Sequence, residues 1–182
     1  MAMIPRFSIA LLLALAGCSP PLAPLPPPPQ GVREIAVVLP TNATGKELLV
    51  NNPGMLGRAI GEATTTVPEA LASDLRQLLV DRDFRVVANT GYAPELRVQI
   101  TRWDLYSADY SSVTVDLTAS LVDPKSGREL WTARRTGWPV ATPDARSSLD
   151  CSASAALAVA RALIDGWQPS TTPSAGSAVP YR

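Results

Sequence analysis

Two thiols, sixteen carboxylates and no imidazole define the chemistry open to this 182-residue chain. Losing histidine removes the side chain whose ordinary pKa lies nearest neutrality. Without it neither a Ser-His-Asp nor a Cys-His nucleophilic site can be assembled, nor the His-bearing zinc sites of hydrolytic enzymes. A Ser-Lys pair lacks its spacing, since Lys46 and Lys125 are the only lysines and Ala43 and Val122 stand three residues before them. Carboxylate chemistry survives. Asp104, Asp109 and Asp116 lie close enough in sequence to serve as the acid and base of a wall-polysaccharide hydrolase, which needs one carboxyl protonated and one ionised. Carboxylates on strands and loops are more often simply solvated, and nothing in the sequence splits the pKa values of these three. The expectation is therefore a protein that is not an enzyme, with no catalytic residues, no metal site and no cofactor. Gly57 and Gly61 have the Gly-x-x-x-Gly spacing of membrane helix dimers but sit in a polar segment, and no phosphate-binding glycine loop is present.

The thiol of Cys18 stands in a different context. A short basic start with Arg6, an apolar run from Phe7 to Ala16 and the small residues Ala16 and Gly17 make residues 1–17 a secretory signal peptide. About ten apolar residues are half of what a spanning helix needs, so the segment is expected to be cleaved rather than kept as an anchor. Leu15-Ala16-Gly17-Cys18 resembles the lipobox of bacterial lipoproteins. That resemblance implies cleavage between Gly17 and Cys18, with diacylglycerol on the thiol and fatty acid, palmitate among them, at the new terminus. Ser19 in the next position implies transfer to the outer membrane, on its periplasmic face. Stable anchoring requires two acyl chains or more, because one gives only marginal and reversible attachment.

Charge sets the company the chain can keep. Sixteen basic side chains balance sixteen acidic ones, and removal of Arg6 with the signal leaves fifteen against sixteen. No broad positive field exists to hold nucleic acid. Residues 18–31 follow the signal as a lipidated cysteine and spacer, with seven prolines between Ser19 and Gly31. Such a composition favours polyproline II and, at about 3.1 Å per residue, these thirteen residues reach at most roughly 40 Å. Residues 168–182 lack apolar periodicity and read as a disordered tail. One folded domain, 32–167, remains.

The elements of that domain follow from its periodicities. Ile35 to Leu39 is a continuous apolar run closed by Pro40, the pattern of an internal strand buried on both faces. Residues 41–65 show no firm period and read as a long loop, with a short strand at Leu48 to Val50 as one option. Thr66-Val67-Pro68-Glu69 is a capping box with proline in the first turn, and Leu71, Leu75, Leu78 and Leu79 share a helix face behind it. Phe84 to Ala88 forms the next strand, so strand, helix and strand predict a right-handed parallel crossover. Alternation then places Leu96, Val98 and Ile100 on one face of a strand and Val113, Val115, Leu117, Ala119 and Leu121 on one face of the next. Asp123 to Gly127 is the turn into a strand from Arg128 to Thr136. A final helix, 149–167, carries a stripe of Ala153, Ala156, Leu157, Ala160, Leu163, Ile164 and Trp167, with Cys151 a half-buried structural thiol in its first turn. The expected fold is α/β in the α+β sense: a single domain with a mixed sheet of about five strands, in the order β-α-β-β-β-β-α, with an antiparallel meander and two helices packed on it.

The lipobox, the segment Leu79-Val80-Asp81-Arg82-Asp83-Phe84-Arg85-Val86-Val87, and Leu121-Val122-Asp123-Pro124-Lys125-Ser126-Gly127-Arg128-Glu129-Leu130-Trp131 together resemble small envelope lipoproteins with a TolB-amino-terminal-like α/β domain. More distantly the order of lipobox, spacer, strand, helix and antiparallel strands resembles the PqiC-like auxiliary lipoproteins of ABC-type lipid transporters, although the Tyr-Leu motif usual after their first strand is missing. Both resemblances imply a non-enzymatic assembly or transport accessory subunit of the cell envelope, membrane-anchored through Cys18 and acting on an envelope protein partner, in an oligomeric state that the sequence leaves open. The alternative is a lipid- or small-ligand-binding component of an ABC-type transporter. Trp103, Asp104, Tyr106, Asp109 and Tyr110 interleave aromatic rings with acids at a hairpin tip, a composition suited to a protein contact; packing of Trp103 and Tyr106 on the domain itself is the other reading.

Overall fold

A computed structural model of the chain describes residues 24–27, 29–52, 63–88, 91–106 and 110–169. Gly17, Cys18 and Asp109 lie outside them, as do residues 1–17, expected to be a signal peptide, and most of residues 168–182, expected to be a tail. The elements are β1 (Glu34–Val37), β2 (Thr41–Asn42), β3 (Leu49–Asn52), β4 (Ala63–Thr66), α1 (Val67–Val80), β5 (Arg85–Val87), β6 (Glu95–Leu105), β7 (Ser112–Val122), β8 (Glu129–Ala141) and α2 (Ser148–Leu163). The main sheet runs β5-β1-β6-β7-β8, with β2 paired to β6 beyond the end of β1. Strand β1 is parallel to both its neighbours, while β6, β7 and β8 form the antiparallel meander. The expected mixed α/β sheet with two helices is the fold observed.

Both helices cover one face of the sheet and pack on each other. The inner side of β7, from Val113 through Val115, Leu117 and Ala119 to Leu121, is fully buried beneath them. A buried valine or leucine contributes about 1.5–3 kcal/mol relative to an exposed one, so this strand alone commits the sheet to its register. Its other side, Ser112, Thr114, Asp116, Thr118 and Ser120, is half-exposed, as alternation on a one-sided sheet requires.

Helix α1 starts as its capping box dictates: the Thr66 hydroxyl accepts from Glu69 N–H while the Glu69 carboxylate accepts from Thr66 N–H. The same Thr66 ends β4, which pairs antiparallel with β3 in a two-stranded ribbon packed on the helices. The segment 41–65, read as a long loop with an optional strand at Leu48 to Val50, thus contains β2, β3 at nearly that optional position, and most of β4. Helix α2 ends at Leu163, and five of the seven residues of the expected stripe, Ala156, Ala160, Leu163, Ile164 and Trp167, are buried as expected. Cys151, Ser152, Ala155, Ala156, Val159, Ala160 and Leu163 are buried, whereas Ala153 and Leu157 lie at the margin.

Two β-bulges shape the far end of the meander. Between Ile100 and Arg102 the β6–β7 register shifts by one residue. One extra residue reverses which side chains point inward beyond it. Trp103 therefore joins Leu96, Val98 and Ile100 on the core side, and Arg102 and Asp104 turn outward. Opposite, β8 carries two residues against Asp116, and Gly137 takes φ +61°, a left-handed conformation that glycine adopts without steric cost. The Asp116 carboxylate accepts from the Gly137 N–H and holds that bulge shut.

Candidate functional site

The hairpin tip joining β6 to β7 is the place where the sequence interleaves aromatic and acidic side chains, and the bulge decides which of the described ones reach solvent. Trp103 does not. It is 2% exposed and its indole Nε1 donates to Ser152 Oγ at 3.4 Å on α2. Its expected role as a partner contact is corrected here: the extra residue at Thr101 directs it beneath the helix, where it works as core.

Asp104 stays on the outer face and holds two cations. Arg102 Nε donates to Oδ2 at 2.7 Å and Lys46 Nζ to Oδ1 at 3.2 Å. The Arg102 hydrogen bond, then that of Lys46, keep the Asp104 carboxyl below the usual carboxylate range. Asp116 stands opposite Arg102 across the strand pair, so Lys46, Asp104, Arg102 and Asp116 make a row of alternating charge. A glycosidase pair needs one carboxyl raised, and the described carboxyl raised by burial is Asp74, on α1 and beside Arg161 of α2, not beside Asp104.

Tyr106 is 57% exposed, with its backbone N–H on Ser112 O at 2.9 Å. Its ring is thus presented from a fixed backbone. Tyr110 is half-buried against the core at φ +54°, and its carbonyl accepts from the Thr142 hydroxyl at 2.7 Å. Of the five residues expected at the tip, the structure brings Asp104, Tyr106 and Tyr110 to the surface or its margin.

Sequence reasoning missed the support under this tip. Thr142, 1% exposed, links Tyr110 to Cys151, whose Sγ lies 3.2 Å from its hydroxyl and donates to Ser112 O at 3.9 Å. Cys151 thereby ties the first turn of α2 to the start of β7, and it is buried completely rather than by half. The signal was a small, weakly polar residue on an apolar helix face facing a threonine, a pairing visible only once the strands are placed.

No family model and no curated protein matches the chain. Among solved structures it is similar to a Xanthomonas campestris protein of family DUF330, at 16% identity and a TM-score of 0.47 over 76% of this chain and 86% of that one. It is similar to the PelC dodecamer protein of Paraburkholderia phytofirmans, at 21% identity and 0.42 over 75% and 91%. Lipoprotein GNA1162 of Neisseria meningitidis gives 17% and 0.38 over 64% and 89%. Likenesses at this level carry no argument about function, which rests on the residues of the chain itself.

Chemically, the tip offers an exposed phenol two residues along the chain from a carboxylate paired with two cations. Among the described residues no cluster of three or more Cys, Asp or Glu is placed to hold a metal ion. Such a surface suits recognition: the ring gives apolar contact area, and the paired charges give orientation without a large desolvation cost.

Proposed function

We propose that the chain is a lipoprotein of the bacterial envelope, acylated on Cys18 and held on the periplasmic face of the outer membrane, where it acts as a non-enzymatic assembly or transport accessory subunit. The TolB-amino-terminal-like and PqiC-like resemblances belong to this proposal. The observation that carries it is Leu15-Ala16-Gly17-Cys18 at the end of an apolar run too short to span a bilayer. Support comes from the tip, where exposed Tyr106 and the paired Asp104 form a surface fitted to a protein partner.

Crosslinking in intact cells followed by purification from the membrane fraction tests this role. The account expects an envelope protein enriched over a control that carries the lipobox and spacer alone, with the enrichment lost in Tyr106→Ala combined with Asp104→Ala. Equal recovery from both baits, or enrichment indifferent to the tip, counts against it.

A further inference from the structure

The described residues of the proline-rich segment, 24–27 and 29–31, do not hang free of the domain. Leu25 packs against the hydrophobic core, Pro29 is buried, and Pro26 O accepts from the indole Nε1 of Trp131 at 3.5 Å. Trp131 is 6% exposed and meets Trp167 edge-on with ring centroids 5.0 Å apart, and the Phe84 ring lies 6.4 Å from that of Trp167. Three aromatic rings, from the start of β8, the segment after α2 and the loop before β5, thus close one end of the domain, and Leu25 and Pro26 lie against it. The length fits. Trp131 on β8 and Val32 ahead of β1 are separated by three strand spacings, about 14 Å, and the six residue steps from Pro26 to Val32 can span that gap, their limit being about 22 Å.

We infer that this strapped end faces the lipid and that the β6–β7 tip faces away from it. The inference rests on acylation at Cys18. From Cys18 to Pro24 there are six residue steps, which span at most about 22 Å in any conformation, against roughly 40 Å for a spacer free along its whole length. Strand β8 is about 44 Å long at 3.4 Å per residue, twice that reach. A tether fixed at the Trp131 end therefore keeps the turn Asp123–Gly127, with Lys125 exposed on it and Arg128 exposed just after it, near the headgroups. Tyr106 and the Lys46-Asp104-Arg102 row sit at the opposite end and point toward whatever lies beyond the membrane surface.

Fluorescence quenching on the acylated full-length protein in phosphatidylcholine and phosphatidylglycerol vesicles tests the orientation. One dye is attached at Lys125→Cys on the strapped end, or at Ala141→Cys, exposed at the far end of β8; the quencher is a nitroxide on the lipid headgroup. The expected result is several-fold stronger quenching at 125 than at 141. Leu25→Ser with Pro26→Gly, changes confined to the spacer, should bring the two values together. Equal quenching in the parent protein, or stronger quenching at 141, overturns the orientation while leaving the anchor intact. Failure of the protein to sediment with vesicles defeats the anchor itself, and the orientation with it.

Discussion

Replacing Trp103 with alanine separates the two roles that its position in the sequence allowed. At 2% exposure the indole is core, wedged under α2 with Nε1 on Ser152. Deleting a buried tryptophan typically costs about 3–5 kcal/mol, the lost transfer energy plus the cavity left behind. The hydrogen bond adds little at 3.4 Å, so Trp103→Phe, which keeps much of the volume, should cost about 1–2 kcal/mol, largely from unfilled volume and an unpaired Ser152 hydroxyl. Tyr106→Ala, at 57% exposure, should stay within about 0.5 kcal/mol of the parent. Urea unfolding of the unlipidated chain, followed by far-ultraviolet circular dichroism, reads these differences as midpoint shifts. With a slope of about 2 kcal/mol per molar urea, Trp103→Ala should move the midpoint down by about 2 M and Tyr106→Ala by less than 0.3 M. A Trp103→Ala midpoint within 0.3 M of the parent refutes the inward turn and, with it, the bulge at Thr101.

Acid unfolding should report the capping box. Glu69 is lowered from 4.5 to about 2 by hydrogen bonds from the Thr65 hydroxyl, the Thr66 N–H and the Thr66 hydroxyl. Its folded pKa lies below the unfolded one, so its contribution is complete above about 4.5 and is lost as pH falls through 2; Glu69→Gln should flatten the decline in urea midpoint between pH 5 and 3, and an unchanged decline contradicts the assignment. Gly137→Ala should cost about 1 kcal/mol, since the φ of +61° disfavours a Cβ although no atom stands within 4 Å of it, and a neutral substitution in the same urea assay counts against the glycine bulge. Cys151, fully buried, should react with a maleimide only as fast as the domain opens. Modification of the native protein at the rate of a free thiol is the contrary result.

Much of the fold was legible because its determinants are local. The Thr66 to Glu69 cap, the alternation from Val113 to Leu121 and the Asp123 to Gly127 turn each name their element without help from the rest of the chain. The bulge was half-legible: apolar residues at 96, 98 and 100 followed by Trp103 break a period of two, yet the break alone does not say whether the tryptophan turns in or the strand ends. Strand β4 was hidden because Thr66 serves two elements, closing a strand and capping a helix. Helix α2 is apolar nearly all round between Ala153 and Ala160, so its composition does not choose a face; packing on β7 and β8 selects Ala155 and Val159 over Ala153 and Leu157. The docked spacer was least legible of all, since proline composition announces an extended chain but not the contact of Leu25 and Pro26 with the Trp131 end. For the candidate site, the acids and rings were visible in sequence, while their partners Lys46 and Thr142 come from elements 58 and 32 residues away from Asp104 and Tyr110.

The most direct measurement is intact mass and fragment analysis of the amino-terminal peptide of the mature protein from its native membrane. The added mass of one diacylglyceryl group and one amide-linked fatty acyl chain on a peptide beginning at Cys18 is the predicted result, two acyl chains being the least that anchors stably. A mature chain that begins elsewhere, or a Cys18 bearing a free thiol, contradicts the account.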